Sequence, residues 1–230
     1  TRKRRRHTLL YKVADFLTAL LAWALFFLYR KRLEGAALSW EILQDNNFWY
    51  GILLIPTGWV LFYSIFDQYK DIYRLSRLAT LARTLFLSFF GVLFLFFTLI
   101  LDDFVTNYKT YYNSFLALFF LHFTLTATVR MILLTQASRR LKAGEVTYNT
   151  LIIGGNQNAQ ELYHEITGRE KGLGNRFLGF IDANGNSSNE LVHHLPRLGG
   201  IGEIAEIIRH YNAEEVIIAI ETSEHNRLRE

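Results

Sequence analysis

Apolar residues follow two different patterns along this chain, and the change comes near residue 140. Before it they run in long blocks; after it they come in short runs separated by half-polar segments. A bilayer-crossing helix needs roughly 20 predominantly apolar residues. Four blocks meet that length, at about Leu10–Tyr29, Phe48–Phe66, Leu81–Leu101 and Tyr111–Leu134. A helix that is apolar on all sides is buried in a large core or in lipid, so the blocks predict four transmembrane helices.

The second pattern alternates strand and helix. Thr150–Ile153 is a short apolar strand, and Gly154-Gly155-Asn156 is a turn. Ala159, Leu162, Tyr163 and Ile166 mark one face of a helix. Phe177–Asp182 predicts a second strand, closed by a turn at Asn184-Gly185. Gly199-Gly200 leads into a helix with Ile201, Ile204, Ala205 and Ile208 on its apolar face. Val216–Ile220 reads as a third strand, continuously apolar as buried parallel strands are. Ser223 has the chemistry of an N-cap for a helix starting near Glu224. The expected fold is an α-helical membrane bundle over residues 1–140, then a small Rossmann-like α/β domain with a parallel sheet over 141–230. That second domain is expected to be incomplete at its C-terminal end.

Charge orients the bundle. The 230 residues carry 25 Lys and Arg against 21 Asp and Glu, a net charge of +4. The cations gather at the ends of apolar blocks, where anionic lipid headgroups explain them better than nucleic acid does. Arg2 to Arg6, then Lys70, Arg74, Arg77 and Arg83, then Arg139, Arg140 and Lys142 fall on one side. The third connection offers Asp102, Asp103 and Lys109. The positive-inside rule therefore puts the N-terminus and the α/β domain in the cytoplasm of a multi-pass protein. Arg30-Lys31-Arg32 falls on the other side, where its side chains can snorkel to headgroups. The basic start resembles a signal-peptide n-region, but no small-residue cleavage site follows and more spans do, so it is read as an anchor. With no Cys there is no disulfide and no thiolate metal site.

Asp15, His122 and Arg130 are ionisable residues within the spans, the usual sign of a pathway or a buried partner. Asp15 lies about one turn after Lys12, which predicts a local pair. His122 sits mid-span among phenylalanines and is expected to hydrogen-bond a neighbouring helix. Pro56-Thr57-Gly58 predicts a kink. Asp67 to Arg74 alternates aromatic and basic residues. It reads either as an amphipathic helix lying at the interface and leading into the third span, or as a connecting loop with snorkelling cations. Tyr69, Lys70, Tyr73, Arg74, Arg77, Arg139 and Arg140 are the candidate interface residues.

The glycine turn is the candidate ligand site. A dinucleotide turn wants Gly for the turn, Gly where the diphosphate approaches, and a small residue for helix packing. Gly154 and Ala159 fill the first and third roles, with Gly155 between them. Asn156 stands at the second role, where its side chain can obstruct a diphosphate or bond to it. Asp182 sits where a ribose-binding acid would be, and equally suits an Asp-Ala-Asn-Gly turn. Gly199 and Gly200 complete the candidate nucleotide-binding set. His193 and His194 are adjacent and point apart, so no metal site is expected. Arg169, Lys171 and Arg176 suit a solvated loop. No Ser-His-Asp set, His-Glu-x-x-His run or Tyr-x-x-x-Lys pair is present.

In order, four spans precede a basic linker, Leu151-Ile152-Ile153-Gly154-Gly155-Asn156, Gly179-Phe180-Ile181-Asp182, Leu198-Gly199 and Glu214 to Ile220. This resembles the N-terminal part of large bacterial polyprenyl glycosylphosphotransferases, membrane sugar transferases of exopolysaccharide and O-antigen synthesis. Tyr69-Lys70-Asp71-Ile72-Tyr73-Arg74 is similar to that family's loop after the second span. The resemblance implies transfer of a sugar 1-phosphate from an NDP-sugar to undecaprenyl phosphate, with Mg²⁺ and an Asp-Glu dyad. The resemblance places those groups in a C-terminal domain expected to follow Glu230, so no catalytic residue is assigned within residues 1–230. It also implies the bacterial inner membrane, with polyprenyl phosphate, an NDP-sugar and a homo-oligomeric partner as candidate associations. Membrane-anchored NDP-sugar dehydratases and epimerases, which bind NAD, share the same front end. A non-enzymatic nucleotide-gated membrane sensor is the third reading.

Overall fold

A computed structural model of the chain describes residues 2–33, 35, 44–100, 108–169, 172–183 and 190–220. Asn184-Gly185, Ser223, Glu224, Lys171 and the Asp102-Asp103 pair lie outside the described residues. The chain divides into two compact units, Thr1–Ser138 and Arg139–Glu230.

The first unit is helical: α1 (Arg2–Leu33), α2 (Asn46–Ile65), α3 (Arg77–Leu95) and α4 (Tyr108–Lys142), the last running into the second unit. All four are long and apolar enough to cross a membrane. On three of them a stripe of polar residues faces inward. Along α4, Ser114, Leu118, His122, Thr126, Arg130 and Leu134 recur at every fourth position and are buried. Thr80, Thr84 and Ser88 form the same stripe on α3, and Tyr11, Asp15 and Thr18 on α1. Leu17, Leu21, Leu25, Leu53, Leu61, Phe86, Phe90 and Phe94 point outward. Lipid offers no hydrogen bonds, so polar groups go inside and hydrocarbon outside.

Each element ends for a local reason. After α2 the chain turns at Asp67, whose φ is 55°. Asp67 N–H donates to the Ser64 carbonyl (3.2 Å) and Gln68 N–H to the Tyr63 carbonyl (3.0 Å). This is a left-handed helix stop built on an aspartate, which tolerates that region better than most residues. Two further turns follow, with Lys70 N–H bonding the Asp67 carbonyl and Arg74 N–H the Asp71 carbonyl. Residues 67–76 are thus a run of turns, and of the two readings of this segment the helical one does not hold. Beyond α3 the span continues as a π-helix over Phe96–Ile100. Before α2, Asp45 accepts from Asn47 N–H and pairs with Lys31 Nζ at 3.0 Å. Lys31's hydrogen bond holds the Asp45 carboxyl below its usual range. Lys31, the middle residue of the basic cluster that disagreed with the orientation count, is therefore paired with an acid at its own end of the bundle.

The second unit is a parallel sheet in the order β3-β2-β1-β4. Its strands are β1 (Tyr148–Ile153), β2 (Asn175–Asp182), β3 (Arg197–Gly200) and β4 (Glu215–Ile218). Helix α5 (Gln157–Thr167) and a 3-10 turn at Glu190–His193 cover one face; α6 (Ile204–His210) covers the other. Ile152, Phe180, Ala159 and Leu191 pack on the first face, and Leu151, Ile153, Ile181 and Ile207 on the second. The short strand β3 is absent from the sequence reading, because Arg-Leu-Gly-Gly has almost no strand composition.

Two bundle glycines are packing sites. A Cβ on Gly51 would overlap the Trp23 indole, and one on Gly91 the Trp59 indole. Small residues let spans approach closely. Gly91→Ala is expected to destabilise the bundle by ~1–3 kcal/mol through overpacking. Thermal unfolding of the full chain in detergent checks this, with Gly58→Ala, which meets no neighbour, as the unchanged control.

Candidate functional site

The strongest polar constellation lies inside the bundle. Arg130 on α4 and Asp15 on α1 are 2% and 1% exposed. Arg130 Nε donates to Asp15 Oδ1 at 3.0 Å and Nη2 to Oδ2 at 2.6 Å, a bidentate pair. Arg130 Nη1 donates to Thr84 Oγ1 on α3 at 3.0 Å. The Tyr63 ring on α2 lies 4.0 Å from the guanidinium carbon. All four spans thus meet one guanidinium. This corrects the expected pairing of Asp15 with Lys12. Lys12 lies instead over the Tyr69 ring, 5.3 Å from its centroid. A residue one turn away is near in sequence, but a buried carboxylate takes the partner that satisfies both of its oxygens.

The network extends both ways. Tyr69 donates its hydroxyl to Asp15 Oδ2 at 2.8 Å. Burial, then the Asp15 charge, push the Tyr69 phenol well above its usual range, so it stays a donor. On the other side a 2.9 Å hydrogen bond joins Tyr63 Oη to His122 Nε2, which meets the expectation of an interhelical bond for that histidine. The His122 ring stacks on Trp59 with centroids 3.7 Å apart.

The candidate interface residues separate into two sets. Lys70, Arg74 and Arg77 are exposed, with Lys70 paired to Asp67 at 3.0 Å. Tyr69 and Tyr73 are 8% and 5% exposed and point into the bundle, where Tyr73 hydrogen-bonds His7. Arg139 is exposed and Arg140 half-buried at the end of α4, which stops at Gly144 (φ 72°).

The glycine turn lies where β1 meets α5. Gly154 has φ 117°, and a Cβ there would overlap the Ala219 carbonyl. Its N–H donates to the Ile181 carbonyl at 2.9 Å, which sets it beside the end of β2. The Gly155 carbonyl accepts from Leu191 N–H at 3.1 Å. Asn156 caps α5, its Oδ1 accepting from Ala159 N–H at 3.2 Å. Ala159 is fully buried in the first-face core. Asp182 is 2% exposed and paired at 3.1 Å with Arg197 Nη2, whose side chain is 48% exposed. Gly200 pairs with Asp182 across the ladder and donates its N–H to Glu203 Oε2 at 3.1 Å. Gly199 pairs with Ile181. The structure therefore brings Gly154, Asp182 and Gly200 side by side along the carboxyl edge of the sheet, where open α/β folds bind ligands.

Arg197, Tyr63 and Thr84 are site residues that sequence reasoning missed. Thr84 carried a signal, since Thr80, Thr84 and Ser88 sit at helical spacing in the third span. His194 stacks on Tyr163 and hydrogen-bonds Gln160. Among the described residues no three His, Asp or Glu converge on a metal position.

A family model described as a CoA-binding domain matches residues 68–230, from the turn segment to the end of the chain. This domain is found in polyprenyl glycosylphosphotransferase-type sugar transferases. A comparison with curated proteins gives no match.

Asp15→Asn is expected to cost ~3–5 kcal/mol by leaving Arg130 buried without its counter-charge. Adding Arg130→Met should recover part of that loss rather than deepen it, because the two sites are coupled. Unfolding of the single and double variants in one detergent measures both. In the second unit, Gly154→Ala is expected to cost ~1–3 kcal/mol, since it meets both a left-handed φ and a carbonyl. Loss of amide protection in β1 and β4 by hydrogen exchange checks it.

Proposed function

The chain belongs to the CoA-binding domain family, and we propose that it is the membrane-anchoring, regulatory N-terminal part of an undecaprenyl-phosphate sugar phosphotransferase of exopolysaccharide synthesis. One observation carries this reading: four membrane-type helices and a glycine-turn parallel α/β unit occur in one chain. The family domain that starts within the first and runs through the second is found in sugar transferases of that type. The enzyme would move a sugar 1-phosphate from an NDP-sugar to the polyprenyl phosphate and release NMP. The bundle would sit in the bacterial inner membrane with the α/β unit in the cytoplasm, as the loop cations favour.

The α/β unit would bind a nucleoside diphosphate group, the feature that CoA and NDP-sugars share. Intrachain contacts already occupy much of the glycine turn: Ala219 crowds Gly154, Leu191 bonds Gly155, and the Asn156 side chain caps α5. The exposed first residues of α5, Gln157 and Asn158, offer backbone N–H groups at a helix N-terminus, which favours anions. Arg197 is half-exposed beside Asp182, so it would meet phosphate while Asp182 holds it in place. Asp182 would then be a positioning residue and not the ribose acid.

The full chain in lipid nanodiscs should gain thermal stability with UDP-sugars or CoA, by about 2.7 kcal/mol at a hundredfold excess over Kd. Arg197→Gln should weaken that gain. No shift with any of these nucleotides would overturn the binding reading. Transferase function is tested separately, on membranes carrying the intact gene product, by adding labelled NDP-sugar and undecaprenyl phosphate. Lipid-linked sugar with NMP release is expected; NDP release or no lipid product would sink it.

A further inference from the structure

The two basic stretches at the start of α1 and after α2 are over sixty residues apart in sequence, yet the fold joins them. Tyr73 hydrogen-bonds His7. One to two turns along α1, Lys12 lies over the Tyr69 ring and Tyr69 bonds Asp15. These contacts run along one side of α1, so residues 69–73 lie against its first turns. Tyr69, Ile72 and Tyr73 are buried by this, and what they leave outside is charge. Arg5 and Arg6 from α1 and Lys70, Arg74 and Arg77 from the turn segment and α3 are all exposed at this end of the bundle. Among the described residues of this end of the bundle the exposed acids are Asp67, which pairs with Lys70, and Asp71, so the cations predominate in number.

The cluster borders hydrocarbon-facing surface. Leu9 is 61% exposed, one turn past Arg5, and Leu78 is 76% exposed, next to Arg77. A cation cluster at the rim of an outward apolar face is placed for a headgroup phosphate, since lipid chains cover the leucines below it. We propose that Arg5, Arg6, Arg74 and Arg77, zipped together by the Tyr73–His7 and Tyr69–Asp15 contacts, form a preset site for the phosphate of an anionic phospholipid. It differs from general basic-end attraction in that its cations come from two segments and are held in register by buried aromatics. Tyr69 and Tyr73 act as positioning residues and do not touch the lipid. The site does not depend on the sugar-transferase reading, and rests on the bundle alone.

Electron spin resonance of the full chain in phosphatidylcholine vesicles tests this, using trace spin-labelled phosphatidylglycerol or phosphatidylcholine. The motionally restricted fraction reports lipid held at the protein. Wild type should prefer phosphatidylglycerol, and the preference should fall about fivefold for each cation removed in Arg5→Gln, Arg6→Gln, Arg74→Gln and Arg77→Gln. Arg74→Lys with Arg77→Lys should retain it. Tyr69→Phe with Tyr73→Phe keeps every cation and should still lower it severalfold, while the restricted phosphatidylcholine fraction stays constant and reports an intact bundle. Equal affinity for the two lipids in wild type would overturn the site. An equal drop from Arg139→Gln with Arg140→Gln would overturn it in favour of diffuse attraction. Unchanged preference in the tyrosine variant would overturn the zipper. Displacement by millimolar inorganic phosphate at constant ionic strength would reassign the cluster to a soluble phosphate and overturn the lipid.

Discussion

The four spans of the first unit meet at one guanidinium. Arg130 is a charged group in a bundle whose outer faces suit hydrocarbon, and an unpaired charge there is among the costliest features a helix can carry. Asp15 removes that cost with two hydrogen bonds. Thr84 takes a third N–H, and the Tyr63 ring covers a face. Each partner comes from a different helix, so the pair sets how the helices meet. The polar members of the every-fourth-residue stripes on α3 and α4, Thr80, Thr84 and Ser88 with Ser114, His122 and Thr126, are buried inside the same bundle. The constraint also reaches outward through Tyr69, which ties the turn segment to the same carboxylate.

The second unit solves a different problem with glycine. Its first strand is central, with β2 on one side and β4 on the other. The chain leaving β1 passes close against the residues after β4, with Ala219 N–H bonded to the Ile153 carbonyl. Gly154 leaves room for the Ala219 carbonyl at a φ few other residues adopt. Asn156 then starts α5 by capping it. The same residues that suggest a diphosphate turn therefore have a complete structural explanation. The exposed start of α5 and the half-exposed Arg197 lie beside that turn at the same edge of the sheet.

Much was legible in the order of residues. The four spans follow from uninterrupted hydropathy, and the parallel α/β unit follows from short apolar runs alternating with one-sided helices. Gly154, Asn156 and Ala159 were identifiable as a turn and helix start because turn chemistry is local. The partner of Asp15 was not, because Lys12 is close in sequence and Arg130 is far. Strand β3 was not, because pairing rather than composition makes Arg197–Gly200 a strand. Tyr69 and Tyr73 alternate with cations, a pattern that an amphipathic surface helix and a tucked-in turn share.

The sequence by itself determined where the chain is apolar, where it turns and which polar groups lie within the spans. These depend on hydropathy and on neighbours a few residues apart. Only the tertiary structure decided which charge neutralises Asp15, that Asp182 belongs to Arg197, and that the basic start of α1 lies beside the basic turn after α2. Those are choices among distant partners. Burial makes them, because away from water each polar group must find the one geometry that satisfies it, wherever in the chain that partner lies.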